Sequence, residues 1–238
     1  MAGGQSGGET PVPIPNTEQW KVMKMNETLA RIVGHLMGDG CVTSRYIRYA
    51  NKEQALLQQF ERDIRRIDRN IHIIKGKVNS GTPFIQIQKK ELLQRLQSLG
   101  EGKYKSERIE IPSLIRKNLK AKVNFIRALF DDEGSVSLRI HKKTGETKRD
   151  IHIALKSKKM IFQLKEVLEK EFGIKCNKIG KDERKRKNKK YVTWVLRITG
   201  YENIKKFKEK IGFTHPQKNK ILKNLLLSYK KHLPLRES

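Results

Sequence analysis

Cysteine is scarce in this chain: Cys41 and Cys176 are its only two. Thiols so far apart, with no Cys-x-x-Cys or His-x-x-x-His spacing nearby, exclude a disulfide framework and a zinc-bound scaffold. They fit a reducing interior. Long apolar runs are missing as well. Nothing reaches the length of a membrane span and no signal peptide is recognisable, so the expectation is an intracellular protein, cytoplasmic in a prokaryote or housed in an organelle. Acidic residues are the third shortage. The count is 25 Asp+Glu against 53 Lys+Arg, a net charge of +28 on 238 residues. Such a surplus points to a polyanionic partner. A membrane surface would call for a basic amphipathic helix with a strong apolar face, or a lipid anchor, and neither is present. Nucleic acid remains.

What the chain does contain is a repeat. Arg31 to Gly40 is an apolar run of helical length that closes on Asp39-Gly40, and Asn124 to Gly134 closes on Asp131-Asp132-Glu133-Gly134. Aligning Gly40 with Gly134 sets Asp39 opposite Glu133 and Gly34 opposite Ala128. Glycine is an ordinary helix stop. A carboxylate there meets the negative end of the helix dipole and calls for a cation to answer it. Two such ends side by side would offer paired carboxylates and free carbonyl oxygens, the hard donor set that suits Mg²⁺. Set apart, they are two buried helices with solvated end charges.

The elements around each motif repeat too. Residues 1–18, rich in Gly, Ser and Pro, read as a flexible lead-in. The first half (19–99) reads as a helix from Asn26 to Asp39, strands at 41–45 and 46–50, and an amphipathic helix from Lys52 to Arg66. Strands at 71–78 and 84–88 follow, turned at Asn79-Ser80-Gly81, then a helix at 91–99. Residues 100–117 read as a basic linker in which Pro112 stops regular structure. The second half (118–238) reads as a helix to Glu133, a strand at 135–140, a basic loop at 142–150, a strand at 151–156 and a helix at 160–172. Strands at 174–179 and 191–199 then flank a loop at 181–190, and helices start near Glu202 and Gln217. The order implies a tandem, pseudo-twofold chain.

Strand alternation assigns faces. Tyr49, Ile85, Ile87, Ile151, Ile153 and Leu196 fall on the inward phase. The outward phase carries Thr43, Arg45, Arg48, Gln86, Gln88, Ser135, Ser137, Arg139, His152, Arg197 and Thr199, with Lys75 and Lys77 expected to join them. Arg and Gln suit guanine and adenine edges in a major groove, and this face has essentially no carboxylates, unlike an ordinary solvated one.

The two motifs, Ile32–Gly40 and Ile126–Gly134, resemble the nine-residue signature of the LAGLIDADG homing endonucleases in their single-chain, two-motif form. The likeness extends over about residues 25–225. It implies an α+β fold of two pseudo-symmetric α-β-β-α-β-β-α halves, whose antiparallel sheets form a saddle over double-stranded DNA. It implies a monomer in which the motif helices pack through Gly34, Gly38 and Ala128. Asp39 and Glu133 would bind Mg²⁺ (or Mn²⁺) with the carbonyls of Gly38 and Asp132, and both strands of a long asymmetric site would be cut to leave short 3′ overhangs. Lys52 and Lys156 resemble the family's catalytic basic residues; plain phosphate contact is an equal reading of both. Asn51 assists only from the wrong strand phase. Asp132 stands where the family has a small residue and is expected to strain the packing or point outward. His35 is expected to be packed or partly solvated rather than catalytic. Intron mobility is the implied role. An RNA maturase acting on its own intron RNA, or a non-cutting DNA-binding regulator, are the alternatives. No nucleophile-bearing splicing segments flank the repeats, which reads against an intein.

Overall fold

In the computed structural model, residues 25–104, 107–140, 145–186 and 189–230 are described; the expected lead-in at 1–18 lies outside them. Asn26 starts the first motif helix, α1 (Glu27–Met37), its Oδ1 accepting the Leu29 N–H at 2.9 Å. Asn118 does the same for the second, α5 (Leu119–Glu133), accepting from Ala121 at 3.0 Å. Each satisfies a main-chain donor that a helix start leaves open.

Between them run β1 (Gly40–Val42), β2 (Ile47–Ala50), α2 (Gln54–Ile67), β3 (Ile74–Lys77), β4 (Pro83–Ile87), α3 (Lys90–Leu99) and the short α4 (Ser113–Arg116). After α5 come β5 (Gly134–Ile140), β6 (Thr147–Leu155), α6 (Lys158–Lys170), β7 (Gly180–Arg186), β8 (Lys189–Thr199), α7 (Tyr201–Lys210) and α8 (Pro216–Lys230). Two four-stranded antiparallel sheets result, ordered β1-β2-β4-β3 and β5-β6-β8-β7. Gly40 pairs with Tyr49 and Gly134 with Ile153, so each motif glycine opens its sheet at the same register. One buried core runs through both halves, from Leu29, Ile32 and Leu36 to Phe125, Leu129 and Ile153.

The motif helices touch closely. A Cβ on Gly34 would lie 2.7 Å from the Phe125 carbonyl and 2.8 Å from Ala128 Cβ, and one on Gly38 would meet Asp132 at 2.7 Å. Arg31 ties the same crossing together from the side. Its guanidinium donates to both Asp63 oxygens (2.6 and 2.7 Å) and to Asn124 Oδ1 at 2.5 Å.

Three expectations change. No strand forms at 174–179, because its first three N–H groups are taken elsewhere. Ile174 donates to the Leu168 carbonyl, Lys175 to Asn203 Oδ1 and Cys176 to Glu169 Oε1. The strand that pairs with β8 is instead Gly180–Arg186, in the expected loop. The loop at 142–150 is shortened by β6, which begins at Thr147 opposite Ile140; residues 141–144 lie outside the described set. Pro112 stands at the N-cap of α4 rather than ending structure, where its missing N–H costs no helical hydrogen bond. The basic stretch around it is anchored, with Ile109, Ile111 and Ile115 buried.

Candidate acid centre and basic sheet faces

Asp39 follows α1 and Glu133 closes α5, where the two helices converge on the motif glycines. Both side chains reach solvent, yet each carboxyl is held above its ordinary pKa. Partial burial is the main cause for Asp39, at about 6, with the Asp132 charge second. For Glu133, at about 7, partial burial leads, followed by the charges of Asp39 and Asp132. The Asp39 charge acting on Glu133, and the Asp132 charge acting on both, mark one shared acid centre. Asp39, Asn51, Lys52, Asp132, His215 and Lys218 line a single cavity of about 460 Å³ beside it.

Asp132 does not point outward. Its side chain fills the space left by Gly38 and crosses into the first half, where it is fully buried. Tyr49 donates to Oδ1 at 2.6 Å, and Asn51 Nδ2 lies 3.3 Å from the same atom. His35 Nδ1 lies 3.0 Å from Oδ2. Burial works against a His35 cation, but the adjacent Asp132 carboxylate more than offsets it and raises the ring's pKa. His35 is buried, and among the described residues its Nε2 has no hydrogen-bond partner. Asn51 also donates to Asp39 Oδ2 at 3.0 Å. It shares the phase of Tyr49, and that is the phase the acid centre occupies, so an apparently wrong register is the useful one.

Lys218 is the residue that sequence reasoning missed. From α8 its ammonium reaches the carbonyls of Phe130 (3.1 Å), Asp132 (3.2 Å) and, closer still, Asp131. It is the cation that a helix end crowded with carboxylates calls for. Burial lowers its pKa, against the pull of the surrounding acids. Asp131 returns the contact, its carboxylate accepting the N–H groups of Thr214 and His215 at 2.9 Å. Of the two lysines named from sequence, Lys52 lines the cavity. Lys156 is exposed and paired with Glu107 at 3.2 Å.

Register sorts the sheet residues. Arg48 sits opposite Cys41 and Gln86, facing away from Tyr49 and Ile85. It donates to Gln86 Oε1 at 2.9 and 2.6 Å and stacks over Phe84 at 4.4 Å and Tyr46 at 4.9 Å. Gln86 is buried and aims Arg48, instead of facing a partner itself. Lys75 is a correction. It pairs with Ile85 on the core phase and its Nζ lies 2.7 Å from Glu61 on α2; Lys77 shares that phase. The one apolar residue of β3, Ile74, lies on the outer face opposite Gln86, so alternation misleads there.

Thr43 holds the β1–β2 turn through its Oγ1, leaving Arg45 exposed beside it, and Gln88 is exposed just past β4. In the second sheet Ser135, His152 and Arg197 form one row and Ser137, Asp150 and Thr199 the next, with Arg139 opposite Lys148. The expected absence of carboxylates fails at Asp150. It is buried and held by His152 Nδ1 at 2.7 Å and Lys148 at 3.4 Å. Ser137 is buried as well, and Thr199 Oγ1 donates to Asn177.

Residues 120–212 match the family model described as a LAGLIDADG-like domain. That stretch of the second half is thus similar to the LAGLIDADG-like domain family. The whole chain has the two-half LAGLIDADG fold. It superposes on I-DmoI in complex with DNA and Ca with a TM-score of 0.57 and 15% identity, covering 85% of this chain and 100% of that one. Full-length DUF199/WhiA from Thermatoga maritima gives 0.53 and 18%, covering 92% and 63%. Among curated proteins, the replication factor C small subunit of Methanocaldococcus jannaschii is 28% identical over 203 residues, which are 84% of this chain and 10% of that protein. The tRNA-splicing ligase RtcB of Pyrococcus furiosus is 26% identical over 228 residues, 85% of this chain and 22% of that protein. The chain thus spans a minor part of the curated relatives it matches.

Against the LAGLIDADG pattern, Asp132 is the odd residue, and Gly38 is what makes room for it. Met37 and Asp131 occupy equivalent motif positions; Met37 is buried, and Asp131 caps the start of α8.

Proposed function

We propose that the chain is a site-specific DNA endonuclease that makes a double-strand break with the help of a divalent metal ion. Its carrying observation is the acid centre, where Asp39 and Glu133 stand at the ends of two crossed helices and the Asp39 charge helps to hold Glu133 above its ordinary pKa. The donor set suits Mg²⁺ or Mn²⁺. Two carboxylates that reach solvent and the Asp132 carbonyl, which Lys218 meets at 3.2 Å, are hard oxygens, and a cation offsets the negative charge crowded there. Among the described residues no group of three or more His, Cys, Asp or Glu is placed to hold a metal ion by itself, so main-chain, water and phosphate oxygens would have to complete the shell around the ion. When bound, such an ion supplies an activated water and neutralises charge on the phosphate. Asp39 and Glu133 hold it. Asn51 orients Asp39, and Lys52 meets the phosphate beside the centre. Arg45, Arg48, Gln88, Arg139 and Arg197 form the basic surface that reads a long asymmetric duplex, one half of the site per sheet. The products carry short 3′ overhangs, and the chain acts as a monomer.

I-DmoI is described in complex with DNA and Mn and in complex with DNA and Ca, which supports a duplex partner and a divalent ion. The recurrence of this unit as a minor segment of two unrelated proteins supports a mobile element. It widens the carrier from an intron to an insertion in coding sequence, so the splicing-segment argument against an intein carries less weight. The similarity to WhiA favours a second reading, a DNA-binding regulator that does not cut. Asp39→Asn and Glu133→Gln separate the two. The endonuclease reading expects cleavage of a selected target to fall at least about 100-fold in each, with binding in Ca²⁺ retained. A wild-type chain that binds duplex tightly and never cuts it in Mg²⁺ or Mn²⁺ establishes the regulator.

A further inference from the structure

Three main-chain carbonyls at the end of α5, those of Phe130, Asp131 and Asp132, converge on the Lys218 ammonium. The contact is reciprocal, since Asp131 fixes the start of α8 through the Thr214 and His215 N–H groups. Lys218 is therefore placed by the same helix end that it caps. Asp39, Asp131, Asp132 and Glu133 all act on it electrostatically, and it shares a cavity with Asp39 and Asp132. The Asp132 carbonyl that it occupies is also one of the oxygens proposed for the metal.

We propose that Lys218 is a resident counter-ion of the acid centre, holding the α5 terminus when no metal is bound and competing with the divalent ion for the same oxygens. The proposal rests on the reading of Asp39 and Glu133 as an ion-binding pair. A fixed unit charge a few ångströms from a dication opposes its binding by more than thermal energy even where solvent screens the pair. Metal uptake therefore works against Lys218, and ion and ammonium take turns in neutralising one helix end. Lys218 is a positioning residue in this account, acting through α5 and not on the phosphate.

The test is Mn²⁺ binding to the DNA-free full chain by calorimetry, with melting temperatures taken in chelator and in saturating Mn²⁺. Lys218→Met removes donor and charge, while Lys218→Gln keeps hydrogen-bond donors and removes only the charge. Both are expected to bind Mn²⁺ about tenfold more tightly than wild type, the order of a charge repulsion relieved, while Lys218→Arg stays near wild type. Lys218→Met should melt below wild type in chelator and recover when Mn²⁺ saturates the site. Unchanged affinity in both neutral variants, with the same melting deficit with and without Mn²⁺, overturns the proposal and leaves an ordinary helix cap. Uptake that requires Asp39 yet ignores Lys218 defeats this proposal alone. Uptake indifferent to Asp39→Asn defeats the ion-site reading, and this proposal with it.

Discussion

Asp132 shows what a single side chain does when it crosses between halves. It gives Tyr49, His35 and Asn51 a shared buried acceptor, and through Asn51 it sets the orientation of Asp39. Asp132→Ala would take from the Tyr49 O–H and from His35 Nδ1 the buried carboxylate that they share. We expect a loss of about 3 kcal/mol by chemical denaturation, against ~1 kcal/mol for Tyr49→Phe, which leaves Asn51 on the same oxygen. Protons act on the neighbouring pair. Asp39 at about 6 and Glu133 at about 7 stand above the ~4 of an unfolded chain, so the metal-free fold binds these protons more tightly than the unfolded state does. Their contribution to stability is present below pH ~4 and lost as pH rises through about 6 and 7. Melting curves of metal-free protein should therefore show a decline from pH 5 to 8 that is smaller in Asp39→Asn and Glu133→Gln. Single-turnover cleavage should rise over the same interval, because ionised carboxylates hold the metal. Asp39 and Glu133 were legible in the sequence because they occupy one register in two copies of a motif. Lys218 was not, since its partners are main-chain oxygens that carry no sequence signal.

At the scale of elements, the crossing of α1 and α5 and the two sheet faces carry the account. Gly34 faces backbone and Ala128 at distances no Cβ tolerates. Gly34→Val should force the helices apart and cost about 3 kcal/mol in urea titrations, the range of overpacked cores. The sheets offer a sharper contrast. Arg48, stacked and aimed by Gln86, lies on the outer face, while Lys75 is held by Glu61 on the helix side. Arg48→Ala should weaken binding to a selected duplex roughly tenfold or more, and Lys75→Ala should leave it within about twofold; titration by fluorescence anisotropy checks both. Element order was readable from hydrophobic period. Strand identity failed where side-chain acceptors intervene, as at Lys175 and Cys176, whose N–H groups bond to Asn203 and Glu169. Face assignment failed in β3, where one isoleucine and two lysines leave alternation ambiguous.

The molecule as a whole is two similar halves made unequal. Tyr49 and Asn51 serve the first, where the second has Ile153 and Leu155 in the equivalent places, and α8 brings a lysine to α5 alone. A net charge of +28 on such a scaffold implies that phosphate contacts dominate affinity. Duplex binding should therefore fall steeply between 50 and 200 mM salt, by about 10³-fold or more, in equilibrium titrations. The central claim is that two helix ends make one metal-dependent cutting centre. Its most direct test is sequencing of the products from a random duplex library incubated with wild type or Asp39→Asn in Mg²⁺. The account predicts one long asymmetric motif with short 3′ overhangs from wild type, and no enrichment from Asp39→Asn. Equal enrichment from both proteins would contradict it.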